Sequence, residues 1–244
     1  MSIIKKLLRG SRSAPTAIPI PHDVDQSKAP IVEKVRPYTM TSVERIFHLI
    51  AAVEYVVANT MPGSIVECGV WKGGSMMAVA LTLLQLGETS RDLYLYDTFE
   101  GMSAPAAMDV RYDDTPAQEI LAGREKTTDN NWGYSPLDDV RRNLLSTGYP
   151  EAKIHFIQGK VEDTLPKHVP DTIALLRLDT DWYESTLHEL MHLYPRLVAG
   201  GPFIIDDYGW WKGARRAVDE YVATLKGKPL LHRIDDSARA GIKL

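Results

Sequence analysis

Hydrophobic positions along the chain fall into two alternating kinds of block. The stretch TSVERIFHLIAAVEYVVANT places Ile46, Leu49, Ile50, Val53 and Val57 at helical spacing. Thr41 or Ser42 can cap its start with Glu44 reaching back, and Met61-Pro62-Gly63 ends it. Short apolar runs then recur as SIVECGV, DLYLYD, KIHFIQG, TIALLRLDTD and GGPFIIDDY, which predict five buried strands. Between them lie the helical patterns MMAVALTLLQLG, SPLDDVRRNLLSTGY, YESTLHELMHLYPRL and KGARRAVDEYVATL, with VEDTLP as a turn or short helix. PLLHRI and ARAGIKL predict two closing strands with no helix between them, hence an antiparallel edge. Strands alternating with helices predict a doubly wound α/β sheet, largely parallel and covered on both faces. Residues 99–135 have no clear period and many Asp, Pro, Gly and Asn, which predicts a lid with some short helices. Residues 1–37, rich in Pro, Ser and charge, predict an arm that is partly disordered or packs on a second subunit, ahead of a domain at 38–244.

Composition changes this picture little. The 244 residues are 44% hydrophobic and 25% charged, a globular balance for one sizeable domain. The net charge of −4 gives no basic surplus for nucleic acid. Cys68 is the single cysteine, so no internal disulfide can form, which suits a reducing cytoplasm. Lys5, Lys6 and Arg9 break the apolar pieces at the N-terminus, leaving no signal-peptide core, and no stretch is long enough to span a bilayer. The expected partner is therefore a small molecule, with neither nucleic acid nor membrane.

In open α/β sheets ligands bind at the carboxyl ends of the strands. The first strand ends in Glu67-Cys68-Gly69-Val70-Trp71-Lys72-Gly73-Gly74-Ser75. Its glycines allow close backbone approach to a ligand, although they equally suit a tight strand-to-helix turn. They do not form the G-x-G-x-x-G dinucleotide fingerprint. Glu67 would repel a pyrophosphate but suits the cationic amino-acid end of S-adenosylmethionine. The second strand ends in Asp97, placed to accept two ribose hydroxyls or simply to cap the next turn. Phe99 can pack near that ligand or in the core, and the Gln158–Asp163 loop, with Gly159 and Val161, would border an adenine. Strand four ends in Asp179 and Asp181, which share one face if the strand continues, and strand five in Asp206 and Asp207. Any one of these acids alone could cap a helix. Four crowded at one sheet mouth are costly without a cation, and all-oxygen ligands suit Mg²⁺. His188 and His192 are spaced i, i+4 but lie away from the mouth, where a packed or solvated face explains them.

The phrases IVECGVWKGGSMM, LYLYDTFEGM, LRLDTDWYESTLHELMHLYPRLVAGG and IIDDYGWWKGARRAVDEY resemble the macrocin O-methyltransferase family over roughly residues 38–244. The resemblance implies a class I methyltransferase, a Rossmann-like sheet of seven strands with the last antiparallel. It implies methylation of sugar hydroxyls on antibiotics, a glycoside acceptor, and a homodimer or larger homo-oligomer. It further implies Mg²⁺ on Asp179, Asp206 and Asp207, with Asp181 as general base. S-adenosylmethionine would be held by Met40, Thr41, Glu67, Gly69, Ser75, Asp97 and Asp179, with Tyr38 to Ser42 closing the site. Three competing readings remain at this point. A catechol-type O-methyltransferase would use the same cation. An NAD-dependent oxidoreductase explains Asp97 but not the acids of strands four and five. A non-catalytic cofactor-binding module leaves the acid cluster unexplained.

Overall fold

The computed structural model describes residues 20–244. Seven strands form one sheet in the order β3-β2-β1-β4-β5-β7-β6. They are β1 (Ser64–Cys68), β2 (Leu93–Asp97), β3 (Ile154–Gln158), β4 (Ile173–Leu178), β5 (Pro202–Ile205), β6 (His232–Arg233) and β7 (Arg239–Ile242). The first five run parallel, and β7 lies antiparallel to both β5 and β6. The expected α/β sheet with an antiparallel last strand is therefore present. The chain switches direction across the sheet between β1 and β4, so the mouth of a crevice opens where those two strands end.

Alternation along the strands separates two apolar layers. Ile65, Leu95 and Ile204 pack with the helices α1 (Ala29–Val35), α2 (Val43–Ala58), α3 (Gly74–Gln85) and α5 (Leu137–Leu145). Val66, Tyr96, Phe203 and Ile205 pack on the other face with α6 (Val161–Thr164), α7 (Tyr183–Leu193) and α8 (Lys212–Thr224). Residues i and i+1 of a strand point to opposite faces, so strands this apolar throughout need cover on both sides.

Two expectations change. Residues 1–19 of the expected arm lie outside the described residues. Residues 29–35, assigned to the same arm, form α1, and its Ile31, Val32 and Val35 are buried in the core beside α3. The folded body thus begins before residue 38, because the i, i+1, i+4 spacing of those three residues makes one short apolar stripe. The 99–135 stretch holds α4 (Ala117–Leu121) and a small core of its own, in which Ala117 and Leu121 pack with Trp182, Trp211 and Ala214. Finally, β4 stops at Leu178, so Asp179 and Asp181 are not on a continuing strand.

Candidate active site

The strand ends meet at a cavity of about 440 Å³. Met40, Thr41, Glu67, Gly69, Ser75, Asp97, Gly159, Val161, Asp179, Asp181, Asp206 and Asp207 all line it. Phe99, expected beside the cofactor, does not line it. Its ring is buried in the core, edge-on to Phe156 with centroids 6.3 Å apart, and only its backbone N–H serves the site. An apolar ring next to a polar strand end gains more by burial in the adjacent core than at a wet wall.

On the β1–β2 side, the Asp97 carboxylate accepts N–H groups from Val70 (2.7 Å), Trp71 (3.1 Å) and Phe99 (2.8 Å). It thereby shapes the loop after β1, while burial raises its pKa against the pull of those donors. Gly69 has φ +77°, and a Cβ there would collide with the backbone oxygen of Asp179, so glycine is what lets the ends of β1 and β4 close up. Gly74 plays the same part for the segment before α2: a Cβ would meet the Tyr38 carbonyl, which rides over the start of α3. Tyr38, Thr39, Met40 and Thr41 are brought to the cavity in this way.

A buried ion network underlies the mouth. Arg177, inside β4, donates to Glu67, to Asp179 (2.8 Å) and to Asp206 (2.5 Å). Arg45, on α2, donates to the second Asp206 oxygen (2.5 Å) and to Asp235 (2.6 Å). Ser42 also donates to Asp235 (2.8 Å) while accepting the Arg45 N–H as helix cap. Burial pushes the Glu67 carboxyl up to about 7 despite Arg177. Its Oε2 is buried without a hydrogen-bond partner among the described residues, as are Thr41 Oγ1 and Trp71 Nε1. A buried acceptor of this kind at a cavity wall fits the ammonium end of S-adenosylmethionine.

Across the mouth, Asp179, Asp181 and Asp207 each bring one oxygen within 4.8 Å of the others. Asp181 reaches this position through a left-handed backbone, φ +70°. Burial pushes its carboxyl up to about 7, with the charges of Asp179, Asp206 and Asp109 adding to the effect. Burial likewise raises Asp179 and Asp207, and each is further raised by its acidic neighbours. The three carboxylates are half-buried at the cavity wall and close enough to repel one another when ionised, and an all-oxygen set of this size fits a hard divalent ion. Asp206, expected among the metal ligands, stands apart from the three: both its oxygens lie on guanidinium groups.

The sequence reading missed Arg45, Arg177, Asp109 and Asp235. The signal for Arg177 was a lone cation in the apolar strand IALLRL, where only a paired charge survives burial. Asp109 is buried and accepts from the N–H groups of Ala106 (2.7 Å) and Tyr183 (2.9 Å), which ties the 99–135 stretch to the start of α7. Nothing in its sequence context marks it out.

A sheet with this order, a glycine loop and an acid at the ends of β1 and β2, and a carboxylate cluster at β4 and β5 define a class I O-methyltransferase. Comparison with known proteins gives the family. The macrocin O-methyltransferase (TylF) profile matches residues 24–240, and the chain belongs to that family. It is an S-adenosylmethionine-dependent O-methyltransferase. The chain is 38% identical over 186 residues to the 8-demethyl-8-(2,3-dimethoxy-alpha-L-rhamnosyl)-tetracenomycin-C 4'-O-methyltransferase of Streptomyces olivaceus, covering 75% of this chain and 67% of that one. It is 34% identical to the demethyldecarbamoylnovobiocin O-methyltransferase of Streptomyces niveus, covering 76% and 68%. The solved structure of the O-methyltransferase NovP superposes with a TM-score of 0.74 at 32% identity, covering 84% of this chain and 82% of that one.

Proposed function

We propose that the chain methylates a sugar hydroxyl of a small glycosylated natural product in a Mg²⁺-dependent reaction. The observation that carries this reading is the Asp179–Asp181–Asp207 cluster beside the Glu67–Asp97 cavity. The names of the relatives, which act on rhamnosylated tetracenomycin and on demethyldecarbamoylnovobiocin, support the acceptor class.

When bound, S-adenosylmethionine supplies a methyl group already activated by its sulfonium. When bound, Mg²⁺ lowers the pKa of a coordinated hydroxyl. Asp179, Asp207 and Asp206 would hold the ion, Asp206 through a lone pair that its two guanidinium contacts leave free. Glu67 and Thr41 offer unpaired oxygens to the cofactor's amino-acid end, and Asp97, whose Oδ2 accepts two N–H groups and Oδ1 one, keeps acceptor capacity on Oδ1 for a ribose hydroxyl. Asp181 takes the acceptor's hydroxyl proton on a carboxylate oxygen, a task suited by a value near neutrality. The 99–135 stretch, strapped down by Asp109 and by Trp182 Nε1 donating to the Ser103 carbonyl (3.1 Å), keeps water from the mouth. A homodimer or larger assembly in the cytoplasm belongs to the same reading, by likeness to the family. Sedimentation of the purified chain as a monomer would remove the oligomer.

The test is calorimetric titration of S-adenosylhomocysteine in Mg²⁺ and then in EDTA, followed by turnover on a panel pairing sugar glycosides with catechols. Cofactor binding with turnover only on glycosides, abolished by EDTA, is the expected result. Metal-independent turnover would remove the Mg²⁺ role, and preference for catechols would replace the acceptor class.

A further inference from the structure

The mouth of the cavity carries an aromatic shelf that the chemistry of methyl transfer does not use. Residues 110–112 of the lid stretch pair with 210–212, just past Asp207: Tyr112 N–H donates to the Trp210 carbonyl (2.9 Å), Lys212 N–H to the Val110 carbonyl (2.9 Å), and Arg111 bridges Trp211. This ladder sets the Tyr112 and Trp210 rings edge to face with centroids 5.1 Å apart. Both rings stay open to solvent, Tyr112 at 53% and Trp210 at 37% exposure. Trp210 is at the same time part of the cavity wall. The Arg111 guanidinium lies 5.5 Å from the Tyr112 ring and 6.0 Å from the Trp210 ring.

Two adjoining aromatic rings, fixed by backbone pairing at the rim of a site, offer a ligand a preset flat apolar surface. The two cations flanking them are already neutralised. Arg111 is held in a fork by Asp113 (3.0 and 2.6 Å), and Lys212 pairs with Asp114 (2.5 Å). The shelf therefore offers π faces and apolar edges with little free positive charge for a phosphate. A cavity of about 440 Å³ is on the scale of a single drug-sized ligand, so the cofactor takes up much of it and the bulk of an acceptor must extend over the rim.

We propose that Trp210 and Tyr112 form an aglycone subsite that stacks a planar, uncharged ring system, the methylated sugar being directed inward to Asp181. This rests on the O-methyltransferase reading of the cavity. It selects a finished aryl glycoside over a sugar still carrying a nucleoside diphosphate, so a glycosyl transfer to an aromatic acceptor must precede this methylation.

The test is affinity, measured by calorimetry on the full chain with S-adenosylhomocysteine and Mg²⁺ present. The probes are 4-methylumbelliferyl α-L-rhamnoside, methyl α-L-rhamnoside and dTDP-rhamnose. The aryl glycoside should bind about ten-fold more tightly than the methyl glycoside, the scale of one stacking contact. Trp210→Ala should erase most of that gap, Tyr112→Ala part of it, and Trp210→Phe should preserve it, with S-adenosylhomocysteine affinity unchanged in all three. Equal affinity for the two glycosides, a gap that survives Trp210→Ala, or tightest binding of dTDP-rhamnose would each overturn the subsite while cofactor binding stood. Loss of cofactor binding in the unaltered chain would instead overturn the methyltransferase reading and the subsite with it.

Discussion

Asp206 and Asp207 are chain neighbours past the end of one strand, yet their surroundings are opposite. Asp206 sits between two guanidinium groups, one rooted in β4 and one in α2. Asp207 faces Asp179 and Asp181 across a gap of a few ångströms, and burial and like charge hold its pKa up. In the first place the charge is already balanced by Arg45 and Arg177, which fix the carboxylate in position. In the second it is left unbalanced, the condition of a site that awaits a cation or a proton. Buried acids at one sheet edge thus grade by how many guanidinium groups reach them: two for Asp206, one for Asp179, and none for Asp207 among the described residues.

The sharpest way to break that division is to remove a charge on each side. Asp181→Asn should lower turnover by about 10²–10⁴-fold, the range for a lost general base, while S-adenosylhomocysteine affinity stays within about two-fold. Asp207→Asn should abolish the Mg²⁺ response as well. If turnover of Asp181→Asn matched the unaltered chain, the base would have to be sought elsewhere. Arg177→Met attacks the balanced side. It leaves Glu67, Asp179 and Asp206 facing one another without their shared cation, which should cost roughly 3–5 kcal/mol of stability. Thermal unfolding in EDTA measures this directly. Arg45→Met should cost less, because Arg177 still neutralises Asp206 and the Arg45 side chain is more exposed. A larger loss at Arg45 than at Arg177 would show that the clasp to Asp235 matters more than the buried network.

Protons and the cation compete for the unbalanced cluster. With Asp181 pushed up to about 7, the cluster carries fewer charges below neutrality. Mg²⁺ affinity should therefore strengthen between about pH 6 and pH 8, and Asp181→Asn should flatten the rise. Calorimetry at three pH values decides it, and an affinity independent of pH would mean that the acids are ionised throughout this range.

The sequence made the balanced and unbalanced acids look alike, and the reason is physical. The alternating apolar runs gave the five parallel strands because each is buried on both faces, and Glu67, Asp97, Asp179 and Asp207 follow from standing at their ends. Which acid meets a guanidinium depends on contacts far apart in the chain. Arg45 reaches Asp206 across 161 positions and Arg177 reaches Glu67 across 110. The turn that brings Asp181 to Asp207 has a left-handed residue that no glycine announces. The buried stripe of α1 was hidden within a Pro- and charge-rich segment, and its three apolar residues make sense only against α3.

The smallest effect concerns an acid that belongs to neither group. Glu189 is fully buried on α7, and neither of its oxygens has a hydrogen-bond partner within bonding geometry among the described residues. The Thr180 hydroxyl and the Cys68 thiol lie beside it, with the charges of Glu162 and Asp179 beyond. Burial holds its carboxyl well above the ordinary range, outweighing Thr180. The sign of the stability effect follows. Below the unfolded-state value of about 4.3 both states are protonated and the side chain is neutral. As pH rises above that, the unfolded chain releases the proton while the folded chain retains it, so stability falls until the folded-state value is passed. Glutamine is neutral at every pH and has nearly the same shape. Glu189→Gln should thus match the unaltered chain in melting temperature near the acid end and gain on it steadily through neutral and alkaline pH. Turnover should be retained, because Glu189 does not line the cavity. A difference in melting temperature that is the same at all pH values would mean that the substitution acts through packing, and that Glu189 has found in solution a partner that keeps it ionised.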